Sequence, residues 1–132
     1  MDESRLNAVP LFSRLPRRER EFVARVADEI DLPAGKRLVH QGDFSYEFFL
    51  IEKGTVEVLR DGEHLADLGP GDFFGETGAI DDIRRNATVV ATSPLTAIVM
   101  TAYAFRTVVR EMPAVAASIR EAVAERTQDL VK

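Results

Sequence analysis

The sequence predicts a mainly β domain flanked by helices, and three observations carry that reading. From Lys36 to about Thr101, short apolar segments alternate with glycine and proline turns, the layout of a sandwich or barrel rather than of alternating β and α units. On either side of that region the apolar residues recur at three- and four-residue spacing, as on one face of a helix. The chain has 132 residues, 45% hydrophobic and 30% charged, which suits a single core.

The first helix is read from Phe22, Val26 and Ile30, four residues apart, opening at Pro16 after Ser13 as cap. It stops before Leu32-Pro33-Ala34-Gly35, because proline bars the α region for its predecessor and glycine permits a turn. Asp61-Gly62 joins strands 55–60 and 63–68 in a tight hairpin with left-handed backbone. Pro70-Gly71 makes the next turn, and Ser93-Pro94 separates strands 87–92 and 95–100. Thr101 caps a helix whose Phe105, Val108, Val109 and Met112 share a face, until Met112-Pro113 breaks it. A last helix starts at Pro113 with a narrow stripe of Val115, Ile119, Ala122, Val123 and Leu130, interrupted by Arg126. The stripe suits packing on its own domain, and a second copy could equally pair along it.

Composition excludes several classes. The longest apolar runs, such as 48–51 and 97–100, are four residues, far below the ~20 needed to cross a bilayer. Residues 1–5 include two acids and lead into no apolar stretch, unlike a secretory signal. Without cysteine there is no disulfide scaffold, thiol nucleophile or thiolate metal site. A soluble, cytoplasmic protein is expected, with no membrane partner. The net charge of -5 weighs against direct nucleic-acid binding, which needs clustered positive charge. Residues 1–26 are locally basic, with Arg5, Arg14, Arg17, Arg18, Arg20 and Arg25 against four acids, and are read as a solvated helix face. His40 and His64 lie 24 residues apart with no third histidine, so no metal site is expected. No serine sits in a nucleophile elbow, and the chain is read as non-catalytic.

Residues 71–88, Gly-Asp-Phe-Phe-Gly-Glu-Thr-Gly-Ala-Ile-Asp-Asp-Ile-Arg-Arg-Asn-Ala-Thr, do not read as an ordinary strand connection. Gly75 and the short Thr77 to Ile80 segment suggest a tight turn feeding a brief helix whose backbone N–H groups face an anion. Arg85 supplies a fixed cation, and the small residues Asn86 and Ala87 let the backbone approach a ligand closely. The segment is acidic overall, so an anion here is held by local geometry and not by a bulk positive field.

This stretch resembles the phosphate-binding cassette of cyclic nucleotide-binding domains, as in catabolite activator protein-like regulators and protein kinase A regulatory subunits. The family pattern is Phe-Gly-Glu, a short helix, an arginine nine positions after the glutamate, two small residues and a threonine. Phe74-Gly75-Glu76 and Arg85-Asn86-Ala87-Thr88 fit it without insertion. The likeness also takes in residues 9–12, Pro33-Ala34-Gly35, Gln41-Gly42-Asp43, the strand 48–58 and the paired C-terminal helices.

The resemblance implies a jelly-roll β-roll, or double-stranded β-helix, of eight strands. It implies one domain over 1–132: an N-terminal helical segment 1–31, the roll 32–101 and hinge and lid helices 102–132. It further implies a ligand, cAMP or cGMP, with no other cofactor. Glu76 would accept from the ribose 2′-hydroxyl, and the N–H groups of Gly75 and Ala87 would donate to the sugar-phosphate. Arg85 would clamp the exocyclic phosphate oxygens, Val58 would line the base pocket, and Thr77, Asn86 and Thr88 complete the ligand-binding set.

Two positions and the final helix depart from the family pattern. Asn86 stands where cAMP-selective members often have alanine and cGMP-selective ones a hydroxyl residue, so base preference stays open. Tyr46 replaces an acid that often holds the arginine, leaving Glu47 or Asp43 as partner. The final helix offers no aromatic to stack on the base, leaving Arg120, Arg126 or Leu130 as cap. The expected function is a regulatory sensor that binds a cyclic purine nucleotide, cAMP ahead of cGMP, and transmits binding through movement of the C-terminal helices to an effector not identified by the sequence. The alternatives are a ligand-free module of the same fold that dimerises through residues 113–132, or the sensor fragment of a transcription regulator or other multidomain effector.

Overall fold

The first residues form turns that sit against the sheet, and their arginines decide how. The computed structural model describes residues 1–43, 47–75 and 87–131, with side chains as far as Glu125. A 3-10 helix (Glu3–Ala8) is capped by the Asp2 carboxylate, which accepts from the Ser4 N–H at 2.9 Å. The short helix α1 (Pro10–Ser13) and α2 (Arg17–Val26) follow. Arg5 pairs with both Glu29 and Glu52, and Arg20 donates to Glu3 at 2.6 Å. Arg17 pairs with Glu21 one turn on, and Arg25 lies over the Phe22 ring. The basic N-terminal cluster is thus partly neutralised within the fold, and Arg5 and Arg20 are half-buried rather than solvated.

Helix α2 ends four residues earlier than the spacing predicts. Val23 and Ala24 are its buried residues, Phe22 and Val26 border the core, and Ile30 is not on the helix. Residues Asp28–Leu32 instead form β1, in which Ile30 and Leu32 pack together against the inter-sheet core. A four-residue interval is also two strand periods, so the same spacing satisfies both geometries. Pairing with an antiparallel partner from Leu95 to Val99 decides the matter.

The remaining strands are β2 (Arg37–Val39), β3 (Phe48–Lys53), β4 (Val56–Arg60), β5 (Glu63–Leu68), β6 (Phe73–Phe74), β7 (Thr88–Ala91) and β8 (Leu95–Met100). They form two antiparallel four-stranded sheets, ordered β1-β8-β3-β6 and β2-β7-β4-β5. Helices α3 (Ala102–Glu111) and α4 (Pro113–Val131) close the chain. The Thr101 hydroxyl caps α3 by accepting from the Ala104 N–H at 3.1 Å, as expected. This is the two-sheet roll with helices at both ends that the resemblance implies.

The four-residue apolar runs now have a reason. Phe48 and Leu50 face the helices while Phe49 and Ile51 face the second sheet; Ile98 and Met100 alternate with Ala97 and Val99 in the same way. β3 and β8 are the central strands of the first sheet, covered on both faces, so along residues 48–51 and 97–100 neither face carries a polar residue. Phe105 of α3 stacks on Phe48 with ring centroids 4.1 Å apart, and Phe49 stacks on Phe74 at 4.9 Å. All four strand phenylalanines are therefore core, as read from the sequence. Of the α3 face, Phe105, Val108 and Met112 are buried and Val109 lies at the margin. Val115 and Ile119 bury the start of the α4 stripe, Ala122 and Val123 border it, and Arg126 and Leu130 lie beyond the described side chains.

Gly54 sits between β3 and β4 at φ +90°, and a Cβ there would strike the Pro94 carbonyl oxygen and lie 3.0 Å from the Leu95 Cα. Only glycine lets the β3–β4 turn pass the Ser93-Pro94 turn this closely.

Candidate functional site

The two described ends of the 71–88 segment belong to different sheets. β6 pairs with β3 at the edge of the first sheet, Phe49 opposite Phe74, and leads into Gly75 at φ +89°. That left-handed conformation is open to glycine and strained for other residues, which accounts for the glycine of the Phe-Gly-Glu triplet. At the other end, buried Ala87 leads into β7 in the second sheet.

β7 runs between β2 and β4, with Val58 opposite Val89 and Leu59 opposite Thr88. Val58 packs against the inter-sheet core from β4, so its side chain lies on the inner face of the second sheet. The structure thus brings Val58, Ala87 and Thr88 onto neighbouring strands. Thr88 has a structural bond as well: its Oγ1 accepts from the Gln41 N–H at 3.0 Å. The Gln41 side chain in turn clamps the β4–β5 turn, with Nε2 donating to Asp61 Oδ1 and Oε1 accepting from the Asp61 N–H, both at 2.9 Å. Asp61 and Gly62 both have positive φ, as the hairpin signal predicts. Gln41 therefore links the start of β7 to the hairpin that carries Val58. Its place in the Gln41-Gly42-Asp43 motif was legible in the sequence, but the partners of its amide were not.

Glu76, Thr77, Arg85 and Asn86 lie outside the described residues, as does Tyr46. Of the two acids considered as partners for Arg85, Asp43 has its carboxylate 3.9 Å from His40 Nδ1, and Glu47 is exposed just before β3. Among the residues considered as a cap over the base, Arg120 is exposed on α4, and Arg126 and Leu130 lie beyond the described side chains. No described helix is long and apolar enough to cross a membrane.

What these strand ends can do chemically is present a left-handed backbone turn at Gly75 and a small-residue strand entry at Ala87, with Val58 on the strand next to β7. The chain is 38% identical over 94 residues to a cAMP-dependent protein kinase regulatory subunit of Schizosaccharomyces pombe, covering 70% of this chain and 23% of that protein. It thus spans less than a quarter of that relative's length. The fold matches the Thermus thermophilus catabolite activator protein with a TM-score of 0.79 at 29% identity, over 91% of this chain and 59% of that one. It also matches the regulatory domain of Toxoplasma gondii PKA, crystallised with cAMP, with a TM-score of 0.79 at 22% identity, over 93% of this chain and 48% of that one. Residues 29–112 match the family described as the cyclic nucleotide-binding domain, and with Gly75, Ala87 and Val58 disposed as above, the chain belongs to that family.

Proposed function

We propose that the chain is a regulatory sensor that binds a cyclic purine nucleotide, cAMP in preference to cGMP. The observation that carries this reading is the extent of the family match. Residues 29–112 enclose Val58 and every residue of the 75–88 segment assigned to the ligand. The cAMP dependence of the fungal kinase relative and the cAMP crystallised with the Toxoplasma regulatory domain support the choice of base.

In this reading Arg85 pairs its planar fork with the exocyclic phosphate, a match that lysine does not reproduce. Glu76 accepts the ribose 2′-hydroxyl, which separates ribose from deoxyribose. The N–H groups of Gly75 and Ala87 donate to the sugar-phosphate, Thr77, Asn86 and Thr88 complete the polar wall, and Val58 meets the base. A cradle of one cation and several amides suits a protein of net charge -5, because it does not need a basic surface.

Output runs through α3 and α4. Phe105 rests on Phe48 of the first sheet, so a ligand that draws the 71–88 segment inward favours a different seating of Phe105 and of the helix beyond Pro113. The effector is a further segment or a separate protein, and the role is binding rather than catalysis, in the cytoplasm. The 1–132 stretch acts as one sensor unit.

Isothermal titration with cAMP and with cGMP tests the reading. Saturable heat with cAMP, weaker with cGMP, is the expected result; no heat with either at millimolar ligand overturns it. Mass by size-exclusion with and without cAMP separates this function from a nucleotide-indifferent dimer formed through residues 113–132.

A further inference from the structure

The outer face of the β4–β5 hairpin holds a second cluster of ligand-type side chains, separate from the residues assigned to the nucleotide. Glu57 and Asp67 are direct cross-strand partners, two like charges facing each other, an arrangement that weakens a hairpin unless a cation lies between them. His64 comes to the same place because of a β-bulge. The register passes from Val58 opposite Ala66 to Leu59 opposite His64, leaving Leu65 as the extra residue. Strict alternation would put residues three apart on opposite faces of the strand; the bulge returns His64 to the face of Asp67.

The imidazole is held by one nitrogen and open at the other. Nδ1 lies 2.7 Å from Glu57 Oε2, a hydrogen bond in which Nδ1–H donates and which leaves the lone pair on Nε2. Nε2 lies 3.6 Å from Asp67 Oδ2, too far for a hydrogen bond. Two ligand atoms bound at about 2.0–2.2 Å to one tetrahedral ion stand about 3.3–3.6 Å apart, so this gap has the span of a shared metal. A carboxylate on the far nitrogen of a ligating histidine is the usual outer partner of such a site, setting the tautomer and turning the ring.

We propose that His64 Nε2 and Asp67 Oδ2 form a bidentate surface site for a borderline divalent ion of the Zn²⁺ type, with Glu57 as the positioning residue. The imidazole selects against Mg²⁺ and Ca²⁺, which prefer all-oxygen sites. Half-exposed His64 and more exposed Asp67 leave the other coordination positions to solvent. Histidine spacing alone argued against a metal centre, because the two carboxylates reach His64 only through the hairpin register.

Zn²⁺ titration of the 132-residue chain, followed by calorimetry and by the NMR signals of the two histidine rings, tests this proposal, with Mg²⁺ in parallel. The expected result is one equivalent of Zn²⁺ that shifts the His64 ring signals and leaves those of His40 in place, while Mg²⁺ moves neither. His64→Gln and Asp67→Asn should each remove that binding, His40→Gln should leave it, and Glu57→Gln should weaken it about tenfold. Circular dichroism of each variant checks that these exposed substitutions leave the fold intact. Zn²⁺ binding of equal affinity in His64→Gln, its loss in His40→Gln instead, or no shift of the His64 signals at millimolar Zn²⁺ overturns the proposal.

Discussion

Phe105→Ala removes the side chain that seats α3 on the first sheet. Phe105 is fully buried, its ring stacks on Phe48 at 4.1 Å with 11° between planes, and the Phe48 ring also meets Phe73 at 5.6 Å. Truncation loses the transfer of a ring out of water and leaves a cavity among rigid strand residues, which costs about 3–5 kcal/mol. That is a large share of the about 5–15 kcal/mol that holds a domain of this size together. Phe105→Leu keeps aliphatic bulk but forfeits ring stacking, a term of about 0.5–1.5 kcal/mol, so it should fall well short of the alanine loss. Urea unfolding followed by circular dichroism measures both, with an unchanged slope expected if the unfolded states are alike. A loss below about 1 kcal/mol for Phe105→Ala, or equal losses for the two variants, would refute the view that this ring anchors the helix.

Further outcomes follow for the turns, the ligand segment and the hairpin histidine. Gly54→Ala places a Cβ against the Pro94 carbonyl at positive φ, adding left-handed strain to a backbone collision, and should cost about 2–4 kcal/mol in the same urea assay. Gly62→Ala, also at positive φ but with open space around it, should cost clearly less. Arg85→Ala should weaken cAMP binding by about 2–5 kcal/mol in calorimetry, because the phosphate loses its charged partner; unchanged affinity would move the phosphate contact elsewhere. In buffer with a metal chelator, the His64 ring should titrate above its ordinary value of 6.5, held there by its hydrogen bond to Glu57 and by the charges of Asp67 and Glu57. The stability it contributes is then complete below about pH 6.5 and fades as pH rises through the folded-state pKa. NMR titration of Glu57→Gln should bring the value back down.

Much of the fold was legible because each local signal had a single physical reading. Asp61-Gly62 prefers left-handed backbone, Thr101 offers a hydroxyl to a helix start, and Pro113 cannot continue a helix; the structure has a tight turn, a cap and a break at these places. Ile30 was ambiguous because a spacing of four residues fits a helix turn and two strand steps alike. Only the presence of β8 alongside made it a strand residue. The 71–88 segment was legible as a motif, through Gly75 and the small residues at 86 and 87, and its described ends place Gly75 after the edge strand β6 of the first sheet and Ala87 before the inner strand β7 of the second. The amide clamp of Gln41 on Asp61 and its bond to Thr88 were not legible, since the partners are 20 and 47 residues away.

By itself the sequence determined the kind of protein: a cysteine-free, acidic chain with a glycine-punctuated β region between helices and a cyclic nucleotide-type cassette. Those properties reside in residue chemistry and in spacing along the chain, which folding does not alter. The tertiary structure alone decided which face each strand residue takes, which of the N-terminal arginines are paired internally, and that Glu57, His64 and Asp67 share one surface. The reason is register. A single extra residue in β5 turns one side chain to the other face, and no pattern within a strand records what its neighbour across the hairpin is doing.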